Sequence, residues 1–224
     1  MPTITAILAQ PRKRTLELYI DGEWAFTVGK KLVAAELLFV GKVLLDGQVD
    51  ELTSKEEQRV AIEAAYRYLA YGPRSEKDMR TRLRRKGVLP KTLELTMEKL
   101  RAQRLLNDAE YAQQYVERRN ETSPRGQRML TWELRQKGIG TELAEHAVED
   151  QDDEGGAYRA AERRAGRLQT QDYREFRKRI GDFLLRRGFG YAVVERTVSR
   201  LWRERPEQVS SDFDEDAASE LQVQ

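Results

Sequence analysis

A chain of 224 residues, 39% hydrophobic and 35% charged, is long enough to bury a core, in one domain or in several small modules. It contains no cysteine, which excludes a disulfide framework, a thiolate metal site and a cysteine nucleophile. No apolar run approaches the roughly 20 residues that span a bilayer, and Met1-Pro2-Thr3-Ile4 lacks the marks of a secretory signal, so no membrane contact and a cytoplasmic location are expected. The formal charge of +2 hides a segregation: residues 1–60 carry −1, 61–108 carry +6, 109–155 carry −5, 156–206 carry +8 and 207–224 carry −6. Local potential, rather than the total, is what attracts a polyanion.

Residues 3–9 read as a strand, followed by a basic turn from Gln10 to Arg14. Thr15 to Ile20 and Glu23 to Val28 flank Asp21-Gly22, a strong hairpin signal. Trp24, Phe26 and Val28 alternate on one face, opposite Leu16 and Leu18, and three strands with one apolar face can be stable together. Trp24 is the aromatic that such a small sheet is expected to leave exposed. A short helix fits Lys30 to Phe39, with Val40-Gly41-Lys42 as its exit and a further turn at Asp46-Gly47. Thr53 or Ser54 is the expected cap of the next helix, with Glu56 and Glu57 near its positive end. That helix runs to about Tyr71 and is stopped by Gly72-Pro73.

One phrase then recurs three times: Leu83-Arg-Arg-Lys-Gly87-Val88, Leu134-Arg-Gln-Lys-Gly138-Ile139 and Leu184-Leu-Arg-Arg-Gly188-Phe189. The glycines are 51 and 50 residues apart, and Met79, Leu130 and Ile180 each stand four residues before the leucine. Apolar residues at this spacing share a helix face, and basic residues suit the negatively polarised last turn. Glycine then takes the left-handed position that ends many helices, and the apolar residue after it packs back on the leucine. Each copy is thus expected to turn the chain sharply into another helix, and a period near 50 marks a duplicated unit.

The predicted fold is mainly α: three tandem three-helix repeats in an elongated curved array, preceded by a small three-stranded module. The expected boundaries are 1–52 for the β-rich module, 53–108 for a linking helix and repeat one, 109–155 for repeat two and 156–206 for repeat three. Ser75 caps the second helix of repeat one, and its third helix starts near Pro90 with Leu93, Met97 and Leu100. Repeat two opens at Asn107-Asp108 and turns Tyr111, Ala112, Tyr115 and Val116 inward. Its second helix starts at Ser123-Pro124 and its third at Thr141, with Leu143, Ala147 and Val148. Repeat three opens around Gly155-Gly156, and its later helices carry Phe176, Ile180, Phe183, Leu184, Val194, Val198, Leu201 and Trp202. Trp132, Phe183, Phe189 and Trp202 fall at inward positions. Residues 207–224, acidic and sparsely apolar, are expected to be disordered.

Little points to catalysis. His146, the sole histidine, sits beside Glu145 and Glu149 and reads as a solvated residue. Gly138-Ile139-Gly140 lacks the third glycine and the preceding strand of a dinucleotide fingerprint. The acidic run Glu149 to Glu154 lacks calcium-loop spacing and reads as a solvated loop. No cofactor is expected. Binding is better supported, because Arg80, Arg82, Arg84, Arg85 and Lys86 spread around one helix, and Arg177, Lys178, Arg179, Arg186 and Arg187 around another. Helix-dipole complementation accounts for one or two cations in a helix, not five. Arg135 and Lys137 occupy the matching places in the middle repeat. These twelve residues are the candidate contacts to a polyanion or an acidic protein.

The succession Gly72-Pro73-Arg74-Ser75-Glu76, Leu83 to Gly87, Leu106-Asn107-Asp108, Tyr111-Ala112, Tyr115-Val116 and Glu133 to Ile139 resembles the RecX family. Arg179-Ile180 through Phe189 is similar to the third repeat of that family, so the resemblance runs over about residues 60–202. The amino-terminal strands are similar to those of its longer members. Ser123-Pro124-Arg125-Gly126 is a permuted form of the usual Gly-Pro-Arg run, and the acidic tail lies outside the match. The resemblance implies a non-enzymatic, monomeric regulator of the RecA recombinase, with a place in DNA repair, recombination and the SOS response. It implies a protein lying in the groove of the RecA–DNA filament, where it inhibits the ATPase and strand exchange and limits extension. An autonomous DNA-binding protein that uses the same basic faces is the alternative.

Overall fold

The computed structural model describes residues 1–11 and 15–205. Arg12 to Arg14 of the basic turn and the acidic segment 207–224, with its expected disorder, lie outside the described residues. Strands β1 (Ile4–Ala9), β2 (Thr15–Ile20) and β3 (Glu23–Gly29) form one antiparallel sheet in that order. Asp21 and Gly22 turn β2 into β3 with φ of 50° and 86°, the left-handed pair that a two-residue hairpin requires. Leu16 faces Val28 and Leu18 faces Phe26; a register shift after Leu18 then sets Tyr19 against Trp24. Ile4, Leu18 and Val28 are fully buried, whereas Trp24 is 57% exposed.

The helix after β3, α1 (Lys30–Ala35), is shorter than the expected Lys30 to Phe39. Leu37 takes φ of 48°, and Lys42 donates through Nζ to the carbonyls of Glu36 at 2.7 Å and Leu37 at 3.3 Å. A side chain thus satisfies carbonyls freed where the helix ends. The helix α2 (Gln48–Leu69) also departs from expectation, for it starts at Gly47 (φ 83°) and not at Thr53 or Ser54. The Asp46-Gly47 turn feeds straight into it, and Thr53 Oγ1 instead donates to the Val49 carbonyl one turn back. Buried Glu56 accepts the Gly29 N–H at 3.0 Å and two bonds from Arg59, tying the sheet to α2.

Eight helices follow: α3 (Glu76–Arg85), α4 (Pro90–Ala102), α5 (Asp108–Thr122), α6 (Gln127–Gln136), α7 (Thr141–His146), α8 (Asp153–Gly166), α9 (Tyr173–Arg186) and α10 (Tyr191–Arg203). The chain divides into two compact units, Met1–Gln114 with Leu134–Ala144, and Tyr115–Glu133 with the described residues from Glu145 onward. In the first, Ala65, Met79, Leu83, Leu93, Met97 and Leu100 form a repeat core. In the second, Ala157, Ala161, Phe176, Ile180, Leu184 and Val198 do the same.

All three copies of the repeated phrase end helices in one way. Gly87, Gly138 and Gly188 stand at φ of 80°, 87° and 84°. Val88, Ile139 and Phe189 donate back to Leu83, Leu134 and Leu184 at 3.2, 3.1 and 3.3 Å, the long bond of a Schellman ending. Two of these endings are also joints. In the first unit, Ser75 Oγ donates to the Lys137 carbonyl at 2.7 Å, and a Cβ on Gly138 would lie 2.5 Å from that of Lys77. In the second, the Gly126 N–H donates to the Arg187 carbonyl at 3.0 Å, and a Cβ on Gly188 would lie 2.5 Å from that of Met129. The carbonyl end of one helix meets the amide end of another, so the helix dipoles attract. A Cβ on Gly87, by contrast, would meet no described atom within 4 Å.

The joints carry carboxylate caps as well. Asp108 at the start of α5 accepts the Glu76 N–H at 2.9 Å, and Asp153 at the start of α8 accepts the Gln127 N–H at 3.2 Å. This cap sets the start of α6 at Gln127 rather than at Ser123-Pro124. It also gives the acidic run a structural use, since Asp152 caps α8 through the Gly155 N–H. Repeat three accordingly opens at Asp152, ahead of Gly155-Gly156.

Two side chains point the other way from expectation, whereas Phe183 packs against the core of the second unit. Trp132 is 58% exposed and Leu143 40%. Phe183 is half-buried.

Burial raises the Asp153 carboxyl above its ordinary pKa, opposed by the bond from Gln127. The folded protein therefore takes up this proton before the unfolded chain does, and the contribution to stability rises as pH falls through the folded pKa. Asp153→Ala is expected to cost about 1 kcal/mol at neutral pH, and Asp153→Asn, which keeps an acceptor, clearly less. Urea midpoints measured between neutral pH and about pH 4 should show wild type gaining on Asp153→Asn as the pH falls.

Candidate nucleic-acid interface

In the first unit, α3 presents its cations unequally. Arg80 pairs with Glu94 at 2.5 Å and with Glu76 at 3.6 Å. Arg101 grips the same Glu76 with two bonds of 2.6 Å, and these bonds hold its carboxyl below the usual range. Arg82 and Arg74 lie over the Tyr68 ring, at 5.5 and 4.4 Å. Lys137 is bound to Asp78 at 3.2 Å. The side chains of Arg82, Arg84, Arg85, Lys86 and Arg135 are exposed and, among the described residues, have no ion pair or hydrogen bond. Lys86 stands at the rim of a cleft of about 320 Å³ whose apolar lining includes Phe26, Val60, Val88 and Leu89.

In the second unit, three of the five expected cations on α9 and its end are engaged. Arg177 donates to Glu195 at 2.6 Å and to the Tyr191 hydroxyl at 3.2 Å. Arg179 pairs with Glu175 at 2.5 Å. Arg187 is half-buried: it donates to Ser123 Oγ at 3.3 Å and to the Pro124 carbonyl at 3.1 Å, within the joint. Burial, aided by nearby Arg125, pulls its pKa below the usual guanidinium value. Lys178 and Arg186 are exposed and unpaired among the described residues.

A second row of cations lies away from the repeated phrase and outside the twelve expected contacts. Arg163, Arg164 and Arg167 on the exposed face of α8 and just beyond it line a cleft of about 390 Å³ together with Arg179. Its apolar wall is Ala160, Leu168 and Phe183. Two guanidiniums lie over the Phe183 ring, Arg164 at 5.1 Å and Arg187 at 4.6 Å from its centroid. The Arg163 and Arg167 side chains have no ion pair or hydrogen bond among the described residues. The sequence signal for them is the i, i+4 spacing of Arg163 and Arg167 beside the apolar stripe Ala157, Ala161 and Ala165. A row of unpaired guanidiniums over an aromatic edge suits phosphates and flat bases.

The middle repeat contrasts with this. Glu133 accepts from the Tyr115 hydroxyl at 2.8 Å and from Arg119 at 3.0 Å. His146 is exposed, 3.3 Å from Glu149. No group of His, Cys, Asp or Glu among the described residues is arranged to hold a metal ion. No helix among them is long and apolar enough to cross a membrane.

Three family models match the chain in order: the RecX first three-helix domain over residues 61–100, the second over 107–148 and the third over 152–198. The chain belongs to the RecX family. The regulatory protein RecX of Limosilactobacillus reuteri is 30% identical over 198 residues, 87% of this chain and 75% of that protein. The regulatory protein RecX of Lactobacillus johnsonii is 27% identical over 204 residues, 90% and 75% of the two chains. A crystal structure of a regulatory protein RecX, 28% identical, matches with a TM-score of 0.69 over 89% of this chain and all of that one. RecX from Lactobacillus salivarius, also 28% identical, gives 0.61 over 66% of this chain and 99% of its own. Mainly helical architecture in three RecX domains behind a small antiparallel sheet is thus the fold of this chain.

Because Arg187 is built into the joint and Arg163 is not, the two should separate in stability. Arg187→Ala is expected to cost about 1–3 kcal/mol, from two lost hydrogen bonds and the lost stack on Phe183. Arg163→Ala should stay within about 0.5 kcal/mol of wild type. Urea unfolding of both variants checks this ordering.

Proposed function

We propose that this chain is a non-catalytic regulator of a RecA-type recombinase. It acts in the cytoplasm as a monomer, seats in the groove of the recombinase–DNA filament, and limits the ATPase, strand exchange and filament extension. The observation that carries the reading is the ordered match of all three repeats to a family whose relatives are named regulatory proteins. The charge distribution supports it: repeats one and three are basic and expose unpaired cations, whereas residues 109–155 carry −5. Alternating faces of this kind can meet DNA phosphates and acidic protein surface in turn.

Of the twelve cations singled out in the sequence, the proposed contacts are Arg82, Arg84, Arg85 and Lys86 in the first unit and Lys178 and Arg186 in the second. Arg163, Arg164 and Arg167 join them. Arg135 remains a candidate on its exposed face. Arg80, Lys137, Arg177 and Arg187 hold the fold through the bonds described above, and Arg179 serves the cleft while paired to Glu175.

RecA ATPase on single-stranded DNA, with this protein titrated in below one molecule per recombinase, tests the reading. Wild type should depress the rate, and the Arg163→Glu, Arg167→Glu double variant should need about tenfold more protein at moderate salt. An unchanged rate with folded wild-type protein would overturn it. Tight binding to DNA alone, unaffected by recombinase and falling steeply with salt, would favour the autonomous DNA-binding alternative.

A further inference from the structure

We propose that the open edge of β3 and the cleft beside it take up an extended peptide of a partner protein, one with an apolar side chain and a carboxylate two residues away. The sheet runs in the order β1-β2-β3, so β3 is an edge strand. On its outer side the Gly29 N–H donates to Glu56 of α2. Alternation along an antiparallel strand turns the Thr27 N–H and carbonyl to the same side. There they have no hydrogen-bond partner among the described residues, although Thr27 is half-buried. A strand edge left open in this way is a template for pairing with another chain.

Thr27 also lines the cleft of about 320 Å³ that runs between β3, α2 and the turn from α3 to α4, so the open edge and the apolar cavity form one surface. That volume is at the small end of the roughly 300–1,000 Å³ of ligand pockets, which suits one or two side chains of a peptide. Val60 and Leu89 stand in its walls 47% and 56% exposed. The charges of the lining select the occupant. Buried Glu56 is engaged by Gly29 and Arg59, and Glu57 accepts from the Thr92 hydroxyl at 3.3 Å. Lys86 is the remaining charged group of the lining, and its side chain is unpaired among the described residues. It follows Arg84 and Arg85, both exposed and unpaired as well, so the rim is positive.

An incoming strand meets three demands at once: main-chain bonds to Thr27, an apolar side chain between Val60 and Leu89, and a carboxylate at Lys86. A nucleic acid backbone meets only the last. For Lys86 this rests on the reading above and narrows it, from acidic protein surface to an extended acidic peptide. The test uses neither recombinase nor DNA, so the two fail separately.

The probe is a fluorescein-labelled peptide, Thr-Asp-Thr-Leu-Thr-Asp-Thr, whose leucine and aspartates share one face of a strand. Anisotropy should show it binding the full-length protein, and the Thr27 amide, open to hydrogen exchange in the free protein, should exchange at least about tenfold more slowly in the complex. Val60→Glu and Lys86→Glu, both at exposed positions, should each weaken binding about tenfold. Proline at the two threonines beside the leucine removes ladder donors and should abolish binding. No binding at about 1 mM peptide, a Thr27 amide already protected in the free protein, or an affinity indifferent to Lys86→Glu or to the prolines would each overturn the proposal. So would Thr27 protection that grows with protein concentration alone, which would place a second copy on the edge.

Discussion

Everything downstream of the sheet depends on a backbone that turns left-handed at one residue per repeat. Gly87, Gly138 and Gly188 adopt φ of 80–87°, where any side chain is strained. At two of the three, the absent Cβ matters twice over, because the preceding repeat packs within 2.5 Å of where it would stand. Close approach lets a helix carbonyl end meet a helix amide end, with Ser75 or Gly126 supplying the bond. Three-helix modules of this size bury little alone, so these joints are where one module gains support from the next.

The joints also explain the charge pattern. A cation beside a joint is drawn into it, as Lys137 is by Asp78 and Arg187 by Ser123 and Pro124. Arg84 and Arg163, away from the joints, have no such partner and are exposed. Acidic residues divide the same way: Asp108 and Asp153 cap helices across the joints, and Glu133 sits among Tyr115, Arg119 and Arg125. Several carboxylates of the middle repeat thus serve the fold. The cations left unpaired lie mostly in repeats one and three, with Arg135 in the middle one.

Much of this was legible in the residues. Period, glycine position and the leucine pairs predicted the helix endings, because a Schellman ending is a local motif written within six consecutive residues. Asp21-Gly22 was legible for the same reason. Starts of α2 and α6 were not, since Gly47 acts through a preceding turn and Asp153 caps Gln127 from 26 residues away. Trp132 illustrates a different limit: periodicity names an inward stripe but not whether a neighbour covers each position along it. Reading the cations only around the repeated phrase led to Arg187, which the joint consumes, and passed over Arg163 and Arg167, which the fold leaves facing a cleft.

The central claim is that the second and third glycines are joints and the first is only a helix ending. Comparing the stabilities of Gly87→Ala, Gly138→Ala and Gly188→Ala by urea unfolding tests it most directly. Left-handed strain alone should cost each about 1–2 kcal/mol, and the close approach should add at least about 2 kcal/mol more to Gly138→Ala and Gly188→Ala. Equal losses at all three positions would contradict it.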